Sequence, residues 1–156
     1  MEKGRPSRST PKAARCDFCE IVARRLDAAE VWRGDGAVAF LDARPLLPGH
    51  VLLVPTRHAS TLLEMDDDEA GMLMRLGKRL AAAVQAAMAA DGSFLALNNV
   101  VSQSIPHVHL HVVPRWRGDG LFSPRLVWKR RPYRDEAERE AVRARISAAI
   151  AEAVKH

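Results

Sequence analysis

Three histidines alternate with apolar residues in the last third of the chain. His107, His109 and His111 are separated by Val108 and Leu110. Because successive side chains of a β-strand point to opposite faces, this spacing predicts three imidazoles on one face and apolar side chains on the other. Histidine is neither a strong strand former nor a group that is buried without cost. Three of them on one face of an apolar strand therefore indicate chemistry rather than packing.

Two kinds of chemistry use such a row of imidazoles. In a metal site, all three nitrogens would lie about 2 Å from one zinc ion. On an extended strand the backbones of His107 and His111 are roughly 13 Å apart, so all three can converge only if the strand is distorted. In phosphate chemistry, the middle imidazole is a good nucleophile near neutral pH and its neighbours donate hydrogen bonds to phosphate oxygens. The spacing favours phosphate chemistry, with His109 as the nucleophile.

The elements that must position these histidines follow from the hydrophobic pattern. Apolar runs between turn residues predict strands over 30–33, 37–41, 51–54, 94–97 and 108–113. Helical periodicity predicts helices over 17–25, 67–90 and from 135 almost to the C-terminus. The first of these helices is predicted to bury Phe18, Ile21, Val22 and Leu26 on one stripe. Short turns between most strands predict an α+β fold with a largely antiparallel sheet.

Composition limits the class of protein. At 156 residues, 47% of them hydrophobic, the chain has the size of one globular domain. No apolar run approaches the roughly 20 residues that a membrane span needs, and the N-terminus does not resemble a signal peptide, which predicts a cytoplasmic protein without a membrane partner. Residues 1–14 are predicted to be a flexible basic arm, and 15–156 a single domain. The net charge of +5 favours anionic ligands, but the polar tail is typical of a solvated arm, so nucleic acid is not an expected partner.

The histidine motif resembles a known family signature. His107-Val-His109-Leu-His111-Val-Val agrees at every position with the His-φ-His-φ-His-φ-φ motif of the histidine-triad (HIT) family. Ser102-Gln103-Ser104 is similar to the family's Gly-Gln-Ser or Gly-Gln-Thr phosphate loop, although serine stands in place of the first glycine. Similarity extends over roughly 16–116 and includes the segments 16–22, 39–42 and 48–55, and His58. The resemblance implies a HIT-like fold with a long central helix and a C-terminal helical extension.

The resemblance also implies a role for each matching residue. His109 would form a nucleotidyl-histidine intermediate, and the α-phosphate would be held by His111, Gln103 and Ser104. Asp42 would accept hydrogen bonds from the ribose hydroxyls, a role that needs an acceptor pair. Asn98 would close the same pocket, with the adjacent Asn99 as the alternative.

These roles predict an enzyme of a defined class. We expect a homodimeric hydrolase or transferase that binds a purine nucleotide such as AMP. It would cleave a nucleoside phosphoramidate or a dinucleoside polyphosphate at the α-phosphorus, and no catalytic metal would be required. The alternative is a non-catalytic module that senses nucleotides or binds a partner. Processing of nucleic-acid ends is disfavoured because no additional nucleic-acid domain accompanies the triad.

Two cysteines form a separate motif near the N-terminus. Cys16-x-x-Cys19 on its own is equally half of a zinc site, a redox pair, or two small buried residues. The family resemblance implies structural zinc, bound by Cys16, Cys19, His58 and His107, with His50 as the competing third ligand. Such a closed Cys2His2 set would be structural rather than catalytic.

Overall fold

The computed structural model of the chain describes residues 15–122 and 130–154. The predicted basic arm, 1–14, lies outside the described residues. These described residues contain three helices and five strands, with a short 3-10 turn at Leu62–Glu64. They are α1 (Asp17–Val22), β1 (Glu30–Gly34), β2 (Ala37–Leu41), β3 (Val51–Pro55), α2 (Asp67–Met88), β4 (Gly92–Ala96), β5 (Leu110–Arg115) and α3 (Glu136–Val154). None of the described helices combines the length and hydropathy that crossing a bilayer requires.

All five strands form one antiparallel sheet in the order β1-β2-β3-β5-β4. The last strand of the sequence, β5, therefore lies inside the sheet, between β3 and β4. His111 on β5 is opposite Leu52 of β3 on one side and Ala96 of β4 on the other. The predicted α+β class with a largely antiparallel sheet, a long central helix and a C-terminal helix is confirmed.

The two faces of the sheet have different neighbours. Val108, Leu110 and Val112 belong to the main core, which also includes the apolar faces of α2 and α3. The other face carries a smaller cluster in which Phe18 and Ile21 of α1 pack with residues of β2 and β3. The two sets of triad-strand side chains therefore separate as their alternation predicts, and the histidines lie on the face that α1 covers only in part.

Several element boundaries differ from the sequence prediction by one to three residues, and two of these differences have a clear local cause. Helix α1 ends at Val22 rather than near residue 25, because Arg24 takes a left-handed conformation (φ +58°). The prediction that Leu26 continues the buried stripe is wrong, since this side chain is 45% exposed. Strand β5 begins at Leu110 rather than 108, because the Val108 N–H donates to the Ala59 carbonyl (2.8 Å), which lies outside β3.

Helix α2 lies close to β5 at Gly77. A Cβ atom there would lie 2.4 Å from Cδ2 of Leu110, a side chain only 3% exposed. We expect Gly77→Ala to lower the free energy of unfolding by about 1–2 kcal/mol in urea denaturation, because overpacking outweighs the better helix propensity of alanine. Gly71→Ala on the same helix is the control. Its Cβ would meet only the flexible end of Arg75, at 3.2 Å, so stability should be unchanged or increase. Equal stabilities of the two variants would contradict this account of the packing.

Candidate functional site

A cavity of about 670 Å³ opens on the sheet face that carries the histidines. Its apolar lining includes side chains of α1, the loop after it, and two strands: Phe18, Ile21, Leu26, Phe40 and Leu52. Its polar lining includes Asp42, Asn98, Ser104, His109 and His111. The volume and the combination of an apolar wall with a few convergent polar groups are typical of a small-molecule site.

His109 is one of the polar lining residues, and its hydrogen bond fixes one tautomer of the neutral ring. Its side chain is 3% exposed, and its Nδ1 lies 2.7 Å from the backbone oxygen of His107. Because a carbonyl only accepts, Nδ1 carries the proton and donates it. Neutral His109 therefore has its lone pair on Nε2. The ring of Phe18 packs edge-on against the imidazole, with centroids 5.2 Å apart.

His111 is held by a second histidine, His50. The Leu46 N–H donates to Nδ1 of His50 (3.1 Å), so neutral His50 carries its proton on Nε2. That Nε2–H donates to Nδ1 of His111 (2.9 Å), which leaves the Nε2–H of His111 as a donor. Burial lowers the pKa of His50 and of His111 to about 4 each. Both rings are therefore neutral near pH 7, and the chain of hydrogen bonds orients His111 as a donor on the cavity wall.

Asp42 and Asn98 both line the cavity, as their predicted roles require. Asp42 is held by the Arg44 N–H, which donates to Oδ1 (2.8 Å). Asn98 donates to the Ser102 carbonyl (3.4 Å). The alternative residue, Asn99, accepts the Leu62 N–H through Oδ1 (2.9 Å) and is not among the described lining residues. The structure thus brings Asn98, and not Asn99, to the cavity.

The two predicted residues of the phosphate loop are placed differently. Ser104 lines the cavity, but both ends of the Gln103 amide are engaged within the loops. Nε2 of Gln103 donates to the Ser60 carbonyl (2.6 Å), and Oε1 accepts the Val100 N–H (3.0 Å). In this conformation Gln103 shapes the loop instead of facing the cavity.

The backbone conformation at Ser102 explains why the family usually has glycine at this position. Ser102 has φ +63°, in the left-handed region that favours glycine. The position at which the family usually has glycine is therefore one where glycine is the unstrained choice. This chain adopts the left-handed conformation with serine instead, and Ser102 also lines the cavity.

The four predicted zinc ligands come together beside the triad. Their ligand atoms all lie within 4.8 Å of one another. The Sγ of Cys16 is 3.4 Å from Nδ1 of His107, Cys19 Sγ is 3.6 Å from the same nitrogen, and Cys19 Sγ is 3.3 Å from Nδ1 of His58. Ligand atoms around a tetrahedral zinc are separated by about 3.5 Å, given zinc–sulfur and zinc–nitrogen distances of about 2.3 and 2.0–2.1 Å. The cluster therefore fits a zinc ion.

The protonation of His107 also suits a metal ligand. Its Nε2–H donates to the Pro55 carbonyl (2.9 Å), so Nδ1, which faces the cysteines, carries the lone pair. Burial and the neighbouring Cys16 raise the pKa of Cys19 to about 11, so the thiol is neutral unless a cation binds. The alternative ligand His50 lies instead with Asp42 and His111, in a separate group.

Several cavity residues were not predicted from the sequence. One of them is His50, which the sequence indicated only as a competing metal ligand and which the structure shows as the hydrogen-bond partner of His111. Arg44, Arg130 and Arg139 also line the cavity. For Arg130 the only sequence signal is the local excess of basic residues, and that pattern does not indicate which side chain reaches the cavity.

Comparisons with known proteins agree with this geometry. The HIT domain profile matches residues 23–118. An HIT-like protein of Mycobacterium tuberculosis is 33% identical over 139 residues, which cover 88% of this chain and 94% of that protein.

Solved structures give the same result. A zinc-bound histidine triad family protein from Mycobacterium smegmatis is 31% identical, with a TM-score of 0.78 over 90% of this chain and 96% of its own. A hypothetical histidine triad nucleotide-binding protein from Sulfolobus tokodaii is 30% identical, with a TM-score of 0.75 over 88% of this chain and 93% of its own. The alternating histidines, the sheet that carries them and the matched profile place this chain in the histidine-triad family, within a superfamily of nucleotide-binding hydrolases and transferases.

Proposed function

We propose that this protein cleaves a purine nucleoside phosphoramidate or dinucleoside polyphosphate at the α-phosphorus, through a nucleotidyl intermediate on His109. The observation that carries the proposal is the hydrogen bond from His109 Nδ1–H to the His107 carbonyl (2.7 Å). It leaves the Nε2 lone pair as the nucleophile. The same bond stabilises the positive charge that the ring acquires when Nε2 bonds to phosphorus.

The proposed reaction is a double displacement. Nε2 of His109 attacks the α-phosphorus, a P–N bond forms, and the bond to the leaving group breaks. The leaving group departs with the bonding electron pair and takes up a proton. Water or another acceptor then attacks the phosphorus, the P–N bond breaks, and the ring regains its lone pair. Each step inverts the phosphorus, so two successive displacements retain its configuration.

The apolar and the polar lining residues of the cavity suit the two parts of a nucleotide. Phe18, Ile21 and Phe40 would pack against a purine base. The Asp42 carboxylate is an acceptor pair for the ribose 2′- and 3′-hydroxyls. The His111 Nε2–H and the Ser104 hydroxyl are donors for the non-bridging phosphate oxygens. Gln103, engaged with Ser60, would act here by shaping the phosphate loop.

We assign structural zinc to Cys16, Cys19, His58 and His107 in the same proposal. The ion would supply a tetrahedral cross-link between α1, the segment that follows β3 and the segment that precedes β5. His107 has two further contacts, a ring N–H on the Pro55 carbonyl and its own carbonyl on His109. Its proposed contribution is to hold the backbone oxygen that orients the nucleophile.

A substrate comparison tests this proposal. The wild-type protein is incubated with adenosine 5′-phosphoramidate, with a diadenosine polyphosphate and with a 5′-adenylated DNA, and release of AMP is followed. We expect AMP from at least one of the first two. Binding of AMP without turnover of any substrate would favour the sensing module. Turnover of the DNA alone would favour processing of nucleic-acid ends. The homodimer and the cytoplasmic location remain predictions.

A further inference from the structure

Two arginines on the cavity wall have no acidic partner. Arg44 follows β2 and Arg130 precedes α3, and both line the polar side of the cavity. Among the described residues no carboxylate forms an ion pair with either of them. A third, Arg139, also lines the cavity, but its guanidinium is paired with Glu136 (3.0 Å). Unpaired guanidinium groups beside a nucleotide site are available to an anionic ligand.

The segment that carries Arg130 is attached to the loop before β3 by three hydrogen bonds. The Arg131 N–H donates to the Leu46 carbonyl (3.1 Å), and the Gly49 N–H donates to the Tyr133 hydroxyl (3.0 Å). The Arg130 guanidinium itself donates to the Arg44 carbonyl. The hydrogen bonds of Arg131 and Tyr133 therefore position the segment that carries Arg130, and the side-chain bond of Arg130 places its guanidinium beside Arg44.

The positive charge of Arg130 acts on two histidines of the site, His50 and His111. Burial is the main cause of the low pKa of His50 and His111, and the positive charge of Arg130 lowers both further. The guanidinium thus lies close enough to His111 to interact with it electrostatically. Arg130 also lies beyond the matched HIT domain, which ends at residue 118.

The proposed reaction already accounts for one phosphate. His109, His111 and Ser104 surround the α-phosphate, and a simple AMP ligand carries no second anionic group for Arg130. The planar guanidinium fork matches the oxygens of a phosphate and pairs with them bidentately. A guanidinium without a carboxylate partner, next to the proposed α-phosphate site, indicates another phosphate on the same ligand.

We propose that Arg130, together with Arg44, forms a second phosphate subsite, so that the preferred ligands carry a phosphate in addition to the one that His109 attacks. This inference rests on the proposed function. The second phosphate has two possible sources on a nucleotide. One is the phosphate chain that continues from the α-phosphorus, and the other is a phosphate on the ribose.

Equilibrium binding of three stable nucleotides to the full chain tests the inference. AMP carries one phosphate, α,β-methylene-ADP carries a second in the chain, and adenosine 3′,5′-bisphosphate carries a second on the ribose. We expect the wild type to bind one of the two bisphosphates about tenfold more tightly than AMP, as expected for one charge-assisted hydrogen bond. The bisphosphate that gains affinity identifies the source. The gain should diminish with added salt, because the arginines are exposed.

Matched variants assign the gain to Arg130. In Arg130→Gln the affinities for the bisphosphates should fall to within threefold of that variant's own affinity for AMP, and Arg130→Lys should retain part of the gain. Arg134→Gln is the control, because Arg134 is in the same segment, is 82% exposed and does not line the cavity. The inference is overturned if both bisphosphates bind within threefold of AMP, or if the gain survives in Arg130→Gln. If folded wild type binds none of the three, the proposed function itself fails, and this inference with it.

Discussion

Replacing His109 with alanine is expected to reduce the rate of AMP release at least about 10⁴-fold, because the variant has no nucleophile to form the nucleotidyl intermediate. The folded structure should be unaffected in outline. The His109 ring contacts Phe18 and the His107 carbonyl, and the main core on the opposite face of the sheet does not include it. Initial rates with adenosine 5′-phosphoramidate, measured on wild type and variant at equal concentration, give the ratio.

Two further measurements separate loss of the nucleophile from loss of the site. AMP should bind His109→Ala within a few-fold of the wild-type affinity, because Asp42, Ser104 and His111 remain. His111→Asn is the graded control, since it removes one phosphate donor and should reduce the rate by only about 10²–10³-fold. Rapid quenching of the wild type should trap a covalent adduct with the mass of one nucleotidyl group. Full activity of His109→Ala would show that the mechanism is wrong.

Features of the site that depend on local sequence periodicity were predictable. The alternation of histidine with Val108 and Leu110 gave the correct division between core and cavity, because the side-chain period of extended backbone is two whether or not the segment pairs in a sheet. The pairing itself was not predictable. Val108 bonds to Ala59 instead of β3, and the strand therefore starts two residues late. That contact joins residues 49 positions apart, and no pattern within the segment 107–113 specifies it.

Contacts between distant side chains account for the rest of the difference. The hydrogen bond between His50, just before β3, and His111 of β5 joins residues 61 positions apart, and the sequence indicates His50 only as a competing metal ligand. The amide of Gln103 is engaged by Ser60 and Val100, which the phosphate-loop motif does not reveal. Arg130 reaches the cavity only because its segment is attached to the loop at Leu46. Each of these depends on the packing of complete elements.

Loss of the zinc site is expected to have the largest effect on stability. We expect Cys16→Ser to abolish zinc binding and to lower the free energy of unfolding by on the order of 5 kcal/mol, since binding to a structural zinc site contributes directly to folding. Helix α1 has six residues, too few to be stable alone. Its remaining attachments are a small apolar cluster and the hydrogen bonds that Arg33 donates to the Ile21 and Val22 carbonyls. Metal analysis and urea denaturation of wild type and variant measure the two effects.

Glu20→Gln on the same helix is the matched control. Glu20 forms ion pairs with Arg15 and Arg25 but is not a ligand, and exposed ion pairs contribute little, so this variant should keep its zinc and nearly all of its stability. Zinc-free wild type after purification and incubation with the metal, or Cys16→Ser with wild-type stability, would contradict the assignment.

The zinc site should also influence nucleotide binding, because α1 connects the two. Cys16 and Cys19 lie on either side of Phe18, whose ring contacts both His107 (5.9 Å) and His109 (5.2 Å) and forms part of the apolar cavity wall. Without the metal, α1 is free to move away from the sheet, and the base loses that wall. We therefore expect Cys16→Ser to weaken AMP binding about tenfold or more, while Glu20→Gln leaves it unchanged. Coupling between two ligands is reciprocal, so saturating AMP should slow the removal of zinc from the wild type by a chelator. Equal rates of zinc removal with and without AMP would show that α1 does not transmit the effect.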